Sequence, residues 1–526
     1  MARWSVPLVA CVLLAFGLWA GDRVGWEGDD LASMFGISYL DRVGRDQVYR
    51  YAWQPLAYEG LHALGRVGVR FLHLTYVANI AGMLGLSLLM ALLLRSLGPQ
   101  TPRAPLVALL LVLAAPELWI TALYFNSTAL ALPVFVASLL ALQHAQRSGG
   151  MGSVALSGGL FGLSCLLRMD FAAAGLFVLL MVWWARHGRG PRAALAWLAG
   201  AAGAPLLMLL ARPDLVSTMV GIVRGFEAGQ QAWGVAQSAK VLVLTLGPAI
   251  VMLPLLWFWK PDATATRGQP RLSRAACLAL GLSLLPMLAP LKNLYSGKYL
   301  VPLLCCVLWL VAQALGRRFA TTPGPGLWRW RWRTNGAMAV LGLSLVVTAI
   351  PGPAAAGEGV WMRLFKPKPA FTHDGARSAG GYLQLASWFR TPEQRPPYMQ
   401  VYLRLIDLVQ ACPGNVVVLF PADRKRYVND PWTWGWLPLH LASEGWQLER
   451  YEPVEEVTLT APGGGRSVRM LSAARYGTQA DGAASVIDLG GAALQAGEDD
   501  PTATARFLLE PEQTGFCRSG NTMPPR

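Results

Sequence analysis

Long apolar segments recur through the first two thirds of the chain and restrict its fold more than any other feature. The 526 residues are 54% hydrophobic and only 14% charged, whereas soluble domains are about 25% charged. A run of about 20 apolar residues can cross a bilayer as a helix, and in hydrocarbon each helix must pair its own backbone groups. The sequence therefore predicts a mainly α polytopic membrane protein. Eleven transmembrane helices are expected, at about residues 4–20, 71–94, 104–122, 126–144, 152–167, 171–185, 193–211, 241–259, 275–291, 299–315 and 336–352.

The last part of the chain has a different composition. It is polar, rich in Gly and Pro, and contains short alternating apolar runs. Such a segment is expected to fold in water as an α/β or α+β domain. We therefore expect a transmembrane domain over residues 1–354 and a soluble domain over residues 355–526. Helical patterns fall at about 375–390 and 397–411, and strands are predicted at about 415–420, 447–452, 466–474 and 484–489.

The positive charge of the chain belongs to its membrane part. Residues 1–354 carry 28 Lys and Arg against 12 Asp and Glu, whereas residues 355–526 carry 17 against 18. This distribution argues against a nucleic-acid partner. Of the basic residues in short loops, 16 fall on the side of the N-terminus and six on the opposite side. Because Lys and Arg mark cytoplasmic loops, we expect a multi-pass protein of a bacterial-type inner (plasma) membrane, with a cytoplasmic N-terminus and an extracytoplasmic C-terminal domain.

Cysteines divide between the two predicted domains. Five lie in apolar segments, where they are expected to behave as small buried hydrophobes. Cys412 and Cys517 lie in the C-terminal domain. Outside the cytoplasm these two could form a disulfide, and the sequence leaves this open.

Acidic residues concentrate in the first outer loop, residues 22–70. Seven of the 12 acids that precede residue 355 lie there, including Asp29 and Asp30 directly after the first apolar segment. A carboxylate can act as a general base, and adjacent acids beside a membrane can raise one another's pKa. The alternative is that both cap a helix that starts near Leu31. Two surface helices are predicted in this loop, over about 31–40 and 56–69.

Four motifs resemble the GT-C superfamily of integral-membrane glycosyltransferases, which includes protein O-mannosyltransferases and lipid A aminoarabinose transferases. Asp29-Asp30 resembles the acidic pair of the family's first outer loop. Residues 51–56 (YAWQPL) resemble the His-Pro-Pro-Leu-like stretch that ends the loop, although Gln54 stands where His is frequent. Residues 162–170 (GLSCLLRMD) and 298–302 (KYLVP) resemble two further family motifs. The resemblance covers roughly residues 1–315.

This resemblance implies a reaction and a set of site residues. The family transfers a sugar, with inversion, from a polyprenyl-phosphate-linked donor to a glycan, lipid or protein acceptor on the outer face. Asp29 would be the general base, and Asp30 would orient it or hold a divalent metal. No cofactor is certain, and a metal remains an open question. The substrate-binding residues implied are Gln54, Arg168, Asp170, Lys292, Lys298 and Tyr299.

Several alternatives stay open. Arg168, Lys292 and Lys298 could be interfacial anchors of their helices, and Asp170 could simply pair with Arg168. A transporter or flippase of lipid-linked sugars would need ionisable residues within the spans, and Glu117 is the main candidate. A third alternative is an inactive GT-C-like scaffold whose C-terminal domain binds a partner.

Overall fold

The computed structural model describes the helical part of the chain most fully. The described residues are 11–15, 55–67, 71–98, 104–113, 115–123, 127–185, 190–211, 213, 297–320, 405–412, 414–420, 437–438, 441–442, 444–452, 456–472, 485–489 and 518–519. They fall into two compact units, one made of helices and one that contains a β-sheet together with residues 58–74. Each unit is described by itself.

Nine α-helices have both of their ends described. Their bounds are α1 Pro55–Arg66, α2 Phe71–Leu97, α3 Ala104–Leu113, α4 Pro116–Leu123, α5 Ser127–Ser148, α6 Met151–Leu167, α7 Gly175–Ala185, α8 Gly190–Ala211 and α9 Val301–Ala320, among the described residues. Two short 3-10 turns precede helices, Met169–Ala174 before α7 and Gly297–Leu300 before α9. α1 shows that the second of the two predicted surface segments is helical, while its place on the membrane surface stays a prediction; the first, over 31–40, lies outside the described residues.

Three described helices are long and apolar enough to cross a membrane. They are Val77–Leu97 in α2, Ser127–Ser148 (α5) and Gly190–Ala211 (α8). The predicted spans at 241–259, 275–291 and 336–352, together with most of 4–20, lie outside the described residues. The count of eleven spans therefore stays a prediction.

The predicted span at 104–122 is wrong as a single helix. The chain forms two short helices there, and the second begins at Pro116. Proline has no N–H to donate to the preceding turn, and its ring clashes with that turn. The local bonds are instead i→i−3, with Ala115 N donating to Val112 O at 3.1 Å and Leu118 N donating to Ala115 O at 3.0 Å.

The helices pack around α5 and α9. Every residue of α9 from Val301 to Ala312 is buried, and Trp309 is among the largest fully buried side chains. α8 differs, because Leu207 and Leu210 are 69% and 81% exposed. A helix that is apolar all round and exposed on one side is suited to face lipid.

Glycines allow α6 and α8 to approach closely. A Cβ on Gly158 would lie 2.1 Å from the carbonyl oxygen of Trp197, and one on Gly162 would lie 2.2 Å from that of Ala201. On the facing helix, a Cβ on Gly200 would lie 2.2 Å from the oxygen of Ala155. Small residues at four-residue spacing are a common way for membrane helices to pack backbone against backbone.

Polar contacts tie together the C-terminal ends of α2 and α5. Gln143 Nε2 donates to Ser96 Oγ at 2.7 Å, and Arg147 Nη2 donates to the carbonyl oxygen of Arg95 at 2.7 Å. Arginines near helix C-termini satisfy carbonyls that have no partner within the helix. This end of the helices is the one that the charge bias predicts to be cytoplasmic.

The second unit contains a six-stranded mixed sheet. Its strands are β1 Val416–Phe420, β2 Gln447–Glu452, β3 Glu456–Thr460, β4 Ser467–Ser472, β5 Ser485–Asp488 and β6 Arg518–Ser519. Their spatial order is β2-β3-β4-β1-β5-β6. β1 pairs in parallel with β4 (Val416 beside Val468) and with β5 (Val416 beside Ser485), whereas the other pairs are antiparallel. All five residues of β1 are buried, as expected of a central strand covered on both faces.

Four of these strands match the predicted positions, and β3 and β6 were not predicted. β3 begins with Glu456, which is buried with 2% of its side chain exposed. Arg450 Nη1 and Arg469 Nη2 pair with its carboxylate at 3.3 and 3.1 Å. Neighbouring strands thus supply the partners that a buried carboxylate requires. Of the two predicted helical patterns, 375–390 lies outside the described residues, and residues 405–411 are helical.

An arginine anchors the helix at 405–411 to the β3–β4 hairpin. Arg466 donates to the carbonyl oxygens of Val409, Cys412 (2.8 Å) and Gly414 (3.1 Å), and it lies over the Trp446 ring with 5.7 Å to the centroid. Its charge therefore satisfies carbonyls at the helix C-terminus.

Candidate functional site

The site starts where α6 ends, at Arg168. This residue is extended (φ −159°, ψ 115°), while its N–H still donates to Ser164 O at 2.9 Å. The 3-10 turn begins at the next residue and places Asp170 in its first turn. An extended residue between a helix and a turn lets the side chains of Arg168 and Asp170 point toward one another although they are two positions apart.

The guanidinium of Arg168 is held by two side chains. Its Nε donates to Asp170 Oδ1 at 2.9 Å and to Oδ2 at 2.8 Å, and its Nη1 donates to Ser127 Oγ at 2.9 Å. Only 5% of the Arg168 side chain and 14% of the Asp170 side chain is exposed. An arginine cannot lose its proton in a protein, so a buried guanidinium needs these partners to offset its lost hydration.

Tyr299 completes the group from another helix. The Arg168 Cζ lies 5.5 Å from the centroid of the Tyr299 ring, a distance at which a cation is attracted to the ring face. Tyr299 belongs to the 3-10 turn Gly297–Leu300, which leads into α9. The start of α5, the end of α6 and the start of α9 therefore meet on one side of the helical unit. Ser127, Arg168, Asp170 and Tyr299 are hereafter the arginine cluster.

Aromatic side chains lie next to the cluster. Phe171 follows Asp170 in the turn, and its ring meets that of Phe135 edge-on at 5.2 Å between centroids. Phe135 also lies 6.2 Å from Phe161, which lies 5.0 Å from Trp197 of α8. Phe135 and Phe171 are completely buried. This packing links α5, α6, α8 and the turn, and it fixes the turn that bears Asp170.

The comparison with known proteins bears on this arrangement. No protein-family model and no curated protein sequence matches the chain. A search of solved structures finds ArnT from Cupriavidus metallidurans, whose structure is bound to undecaprenyl phosphate, with 15% sequence identity and a TM-score of 0.50. The match covers 84% of this chain and 85% of that one.

The chain has a fold similar to that of this ArnT structure. It is a membrane-embedded protein, as the apolar helices indicate. The predicted resemblance to the GT-C superfamily is thereby confirmed at the level of the fold. In this GT-C-like chain, two of the four motifs supply the arginine cluster: GLSCLLRMD carries Arg168 and Asp170, and KYLVP carries Tyr299.

The remaining predicted site residues are placed only in part. Lys298 lies beside Tyr299 in the 3-10 turn. Asp29, Asp30, Gln54 and Lys292 lie outside the described residues, so their roles stay predictions. Within the described part of the chain there is no group of three or more His, Cys, Asp and Glu side chains that could hold a metal ion.

Sequence reasoning missed Ser127. This residue is the first of α5 and lies 41 positions before Arg168, to which it bonds. A serine at a helix start is ordinarily explained by capping of its own helix, so no local signal distinguishes it from a capping residue.

The cysteines agree with the predicted division. Cys412 is disulfide-bonded, and its partner lies outside the described residues. The described cysteines of the apolar segments are free, and Cys305 and Cys306 are buried as expected. The expectation of burial is wrong for Cys11, which is exposed, and Cys165 is half-buried. The pairing of Cys412 with Cys517 stays a prediction.

Proposed function

We propose that this chain is a membrane glycosyltransferase that moves a sugar from a polyprenyl-phosphate-linked donor to an acceptor on the outer face. Its likeness to ArnT over 84% of the chain supports this function most directly, because that structure is bound to undecaprenyl phosphate. The arginine cluster adds a chemical reason, since a nearly buried guanidinium within a membrane protein suits a phosphate bearing a lipid tail.

The reaction is a single displacement at the anomeric carbon of the sugar. The acceptor hydroxyl oxygen forms a bond to that carbon, the bond from the carbon to the phosphate oxygen breaks, and its electron pair leaves with the polyprenyl phosphate. Asp29 takes the proton of the acceptor hydroxyl, and Asp30 orients Asp29 or holds a divalent metal. A displacement from the opposite side inverts the anomeric carbon.

The leaving phosphate is stabilised by cations on the outer face. Arg168 contacts it together with Lys292 or Lys298, while Tyr299 supports the guanidinium from its ring face. Positive charge placed where negative charge develops lowers the barrier of such a reaction. Gln54 contributes a polar contact to the donor or acceptor.

A second function is favoured by one observation in the helical unit. Glu117 in the first turn of α4 has only 3% of its surface exposed, and acidic residues buried in membrane segments often serve transport. On this view the protein would move lipid-linked sugars across the bilayer.

One experiment separates the two functions. Purified protein is placed in liposomes with a radiolabelled polyprenyl-phosphate sugar and an extract of envelope acceptors. Two quantities are measured: the free polyprenyl phosphate released, and the donor sidedness, which is the distribution of the donor between the two leaflets. A transferase releases polyprenyl phosphate in proportion to labelled acceptor. A flippase changes donor sidedness without release, and that outcome would contradict the proposal.

Two carboxylate variants test the base in the same assay. Asp29→Asn is expected to fold and bind donor but to lose about 10²–10⁴-fold in rate. Asn caps a helix about as well as Asp, so near-normal turnover would mean that Asp29 only caps a helix. Glu27→Gln, in the same loop, is the control and is expected to cost much less.

A further inference from the structure

Two chemically different partners hold the same guanidinium in the arginine cluster. Ser127 is neutral and accepts one hydrogen bond from Nη1, at 2.9 Å. Asp170 is an anion and accepts from Nε through both carboxylate oxygens, at 2.9 and 2.8 Å. Neither residue needs to touch a substrate to influence Arg168.

We propose that Ser127 and Asp170 are positioning residues with opposite effects on phosphate binding: Ser127 holds Arg168 in place for the phosphate, whereas the charge of Asp170 limits how tightly Arg168 retains it. The inference rests on the proposed function and concerns the release of the polyprenyl phosphate product.

Asp170 acts on phosphate binding through its negative charge. The carboxylate is paired with a guanidinium whose side chain is 5% exposed, and removing one partner of such a pair leaves a poorly hydrated charge. A bound phosphate is itself an anion, so it repels the carboxylate while it attracts the guanidinium. Loss of the carboxylate charge therefore raises the free energy of the empty site and lowers that of the occupied site.

Ser127 acts on phosphate binding through the position of the Arg168 guanidinium. Its backbone belongs to α5, whereas Arg168 follows α6, so the hydrogen bond joins two helices at the side of the unit where the site lies. Without the hydroxyl, Nη1 loses a fixed partner and the guanidinium gains freedom that phosphate binding must then remove. The charge of the site is unchanged by this substitution, so only the positioning is lost.

The two residues together suit a site that must hold a leaving group and then let it go. A guanidinium with no counter-ion in a membrane would bind a lipid phosphate tightly and slow each turnover at the release step. Asp170 stays beside Arg168 as an anionic partner when the phosphate departs, so release does not leave the guanidinium without a counter-ion.

The test measures binding of undecaprenyl phosphate alone to full-length protein in nanodiscs. Asp170→Asn is expected to lower the Kd at least about tenfold, because close charge pairs couple by more than a factor of ten. Ser127→Ala is expected to raise the Kd about threefold to tenfold. Ser138→Ala is the matched control, since it removes another buried hydroxyl from the same helix and is expected to leave the Kd unchanged.

The outcomes separate this inference from the proposed function. If wild-type protein does not bind undecaprenyl phosphate, the proposed function fails. If wild-type protein binds undecaprenyl phosphate but Asp170→Asn binds it equally well or more weakly, the charge of Asp170 does not limit phosphate binding and the inference is overturned. Equal effects of Ser127→Ala and Ser138→Ala would overturn the role of Ser127. Asp170→Ser provides the same neutralisation if Asp170→Asn does not fold.

A kinetic measurement checks the consequence for release. In single-turnover and multiple-turnover transfer, Asp170→Asn is expected to slow the later turnovers more than the first, because release of the polyprenyl phosphate follows the bond-breaking step. A variant slowed equally in both regimes would contradict a role in product release.

Discussion

Adding one methyl group to Gly162 tests how the backbone of α6 sets the arginine cluster. A Cβ at this position would lie 2.2 Å from the carbonyl oxygen of Ala201 and 3.0 Å from its carbonyl carbon. A carbon and a carbonyl oxygen approach to about 3.3 Å at closest. The Gly162→Ala variant must therefore move α6 and α8 apart by about 1 Å, since the clashing atoms are backbone and cannot rotate away.

The size of the effect follows from two opposing terms. Overpacking of this kind costs about 1–3 kcal/mol, whereas Ala is a better helix former than Gly by about 1 kcal/mol. We expect a net loss of up to about 2 kcal/mol in the free energy of unfolding. Arg168 lies six residues further along, or about 9 Å along the helix axis, so we also expect weaker binding of undecaprenyl phosphate.

Gly159→Ala is the matched control on the same helix. Its Cβ would find Gly200 O at 3.9 Å, which is an ordinary contact, so we expect equal or slightly higher stability. Both variants are compared by thermal unfolding of purified protein and by the Kd for undecaprenyl phosphate. If Gly162→Ala unfolds at the wild-type temperature and binds as well as wild-type, the close approach of α6 and α8 is not what positions Arg168.

Three further predictions concern other parts of the chain. Phe135→Ala removes a fully buried ring and should lower the free energy of unfolding by about 3–5 kcal/mol, whereas the same change at Leu156, which is 58% exposed, should have little effect in a thermal melt. Cys412→Ser should destabilise the C-terminal domain by about 2–5 kcal/mol; Cys517→Ser should do so equally, and unequal losses would mean that these two are not paired. Glu456→Gln removes the charge that pairs with two arginines and should lower the domain's stability in denaturant titrations. The loss should be only about 1–3 kcal/mol, because both arginines are partly exposed and regain water.

The sequence predicted the helices well where an apolar run has no internal break. α2, α5 and α8 begin and end within a few residues of their predicted bounds because run length and apolar character determine a membrane helix. The apolar run at 104–122 was wrongly predicted as one helix, because its length and hydropathy do not show that Pro116 interrupts the backbone hydrogen bonds. In the C-terminal domain, β3 escaped prediction because its leading Glu456 is buried only with partners that neighbouring strands supply.

The sequence predicted Arg168, Asp170 and Tyr299 as site residues but did not predict Ser127. Arg168 and Tyr299 were selected through motifs 130 residues apart, and the structure brings the guanidinium and the ring to 5.5 Å. The pairing of Arg168 with Asp170 was foreseen as an alternative to substrate contact, and the hydrogen bonds show that the pair forms. Ser127 could not be foreseen, because its contact depends on how α5 packs against the end of α6.

We propose that a lipid phosphate binds at the arginine cluster. A structure of the protein in nanodiscs with undecaprenyl phosphate tests this most directly. We expect a phosphate oxygen within about 3 Å of a guanidinium nitrogen of Arg168, at the side of the helical unit where the start of α5, the end of α6 and the start of α9 meet. A phosphate bound elsewhere, with Arg168 still paired with Asp170 and making no contact with the phosphate, would contradict this prediction.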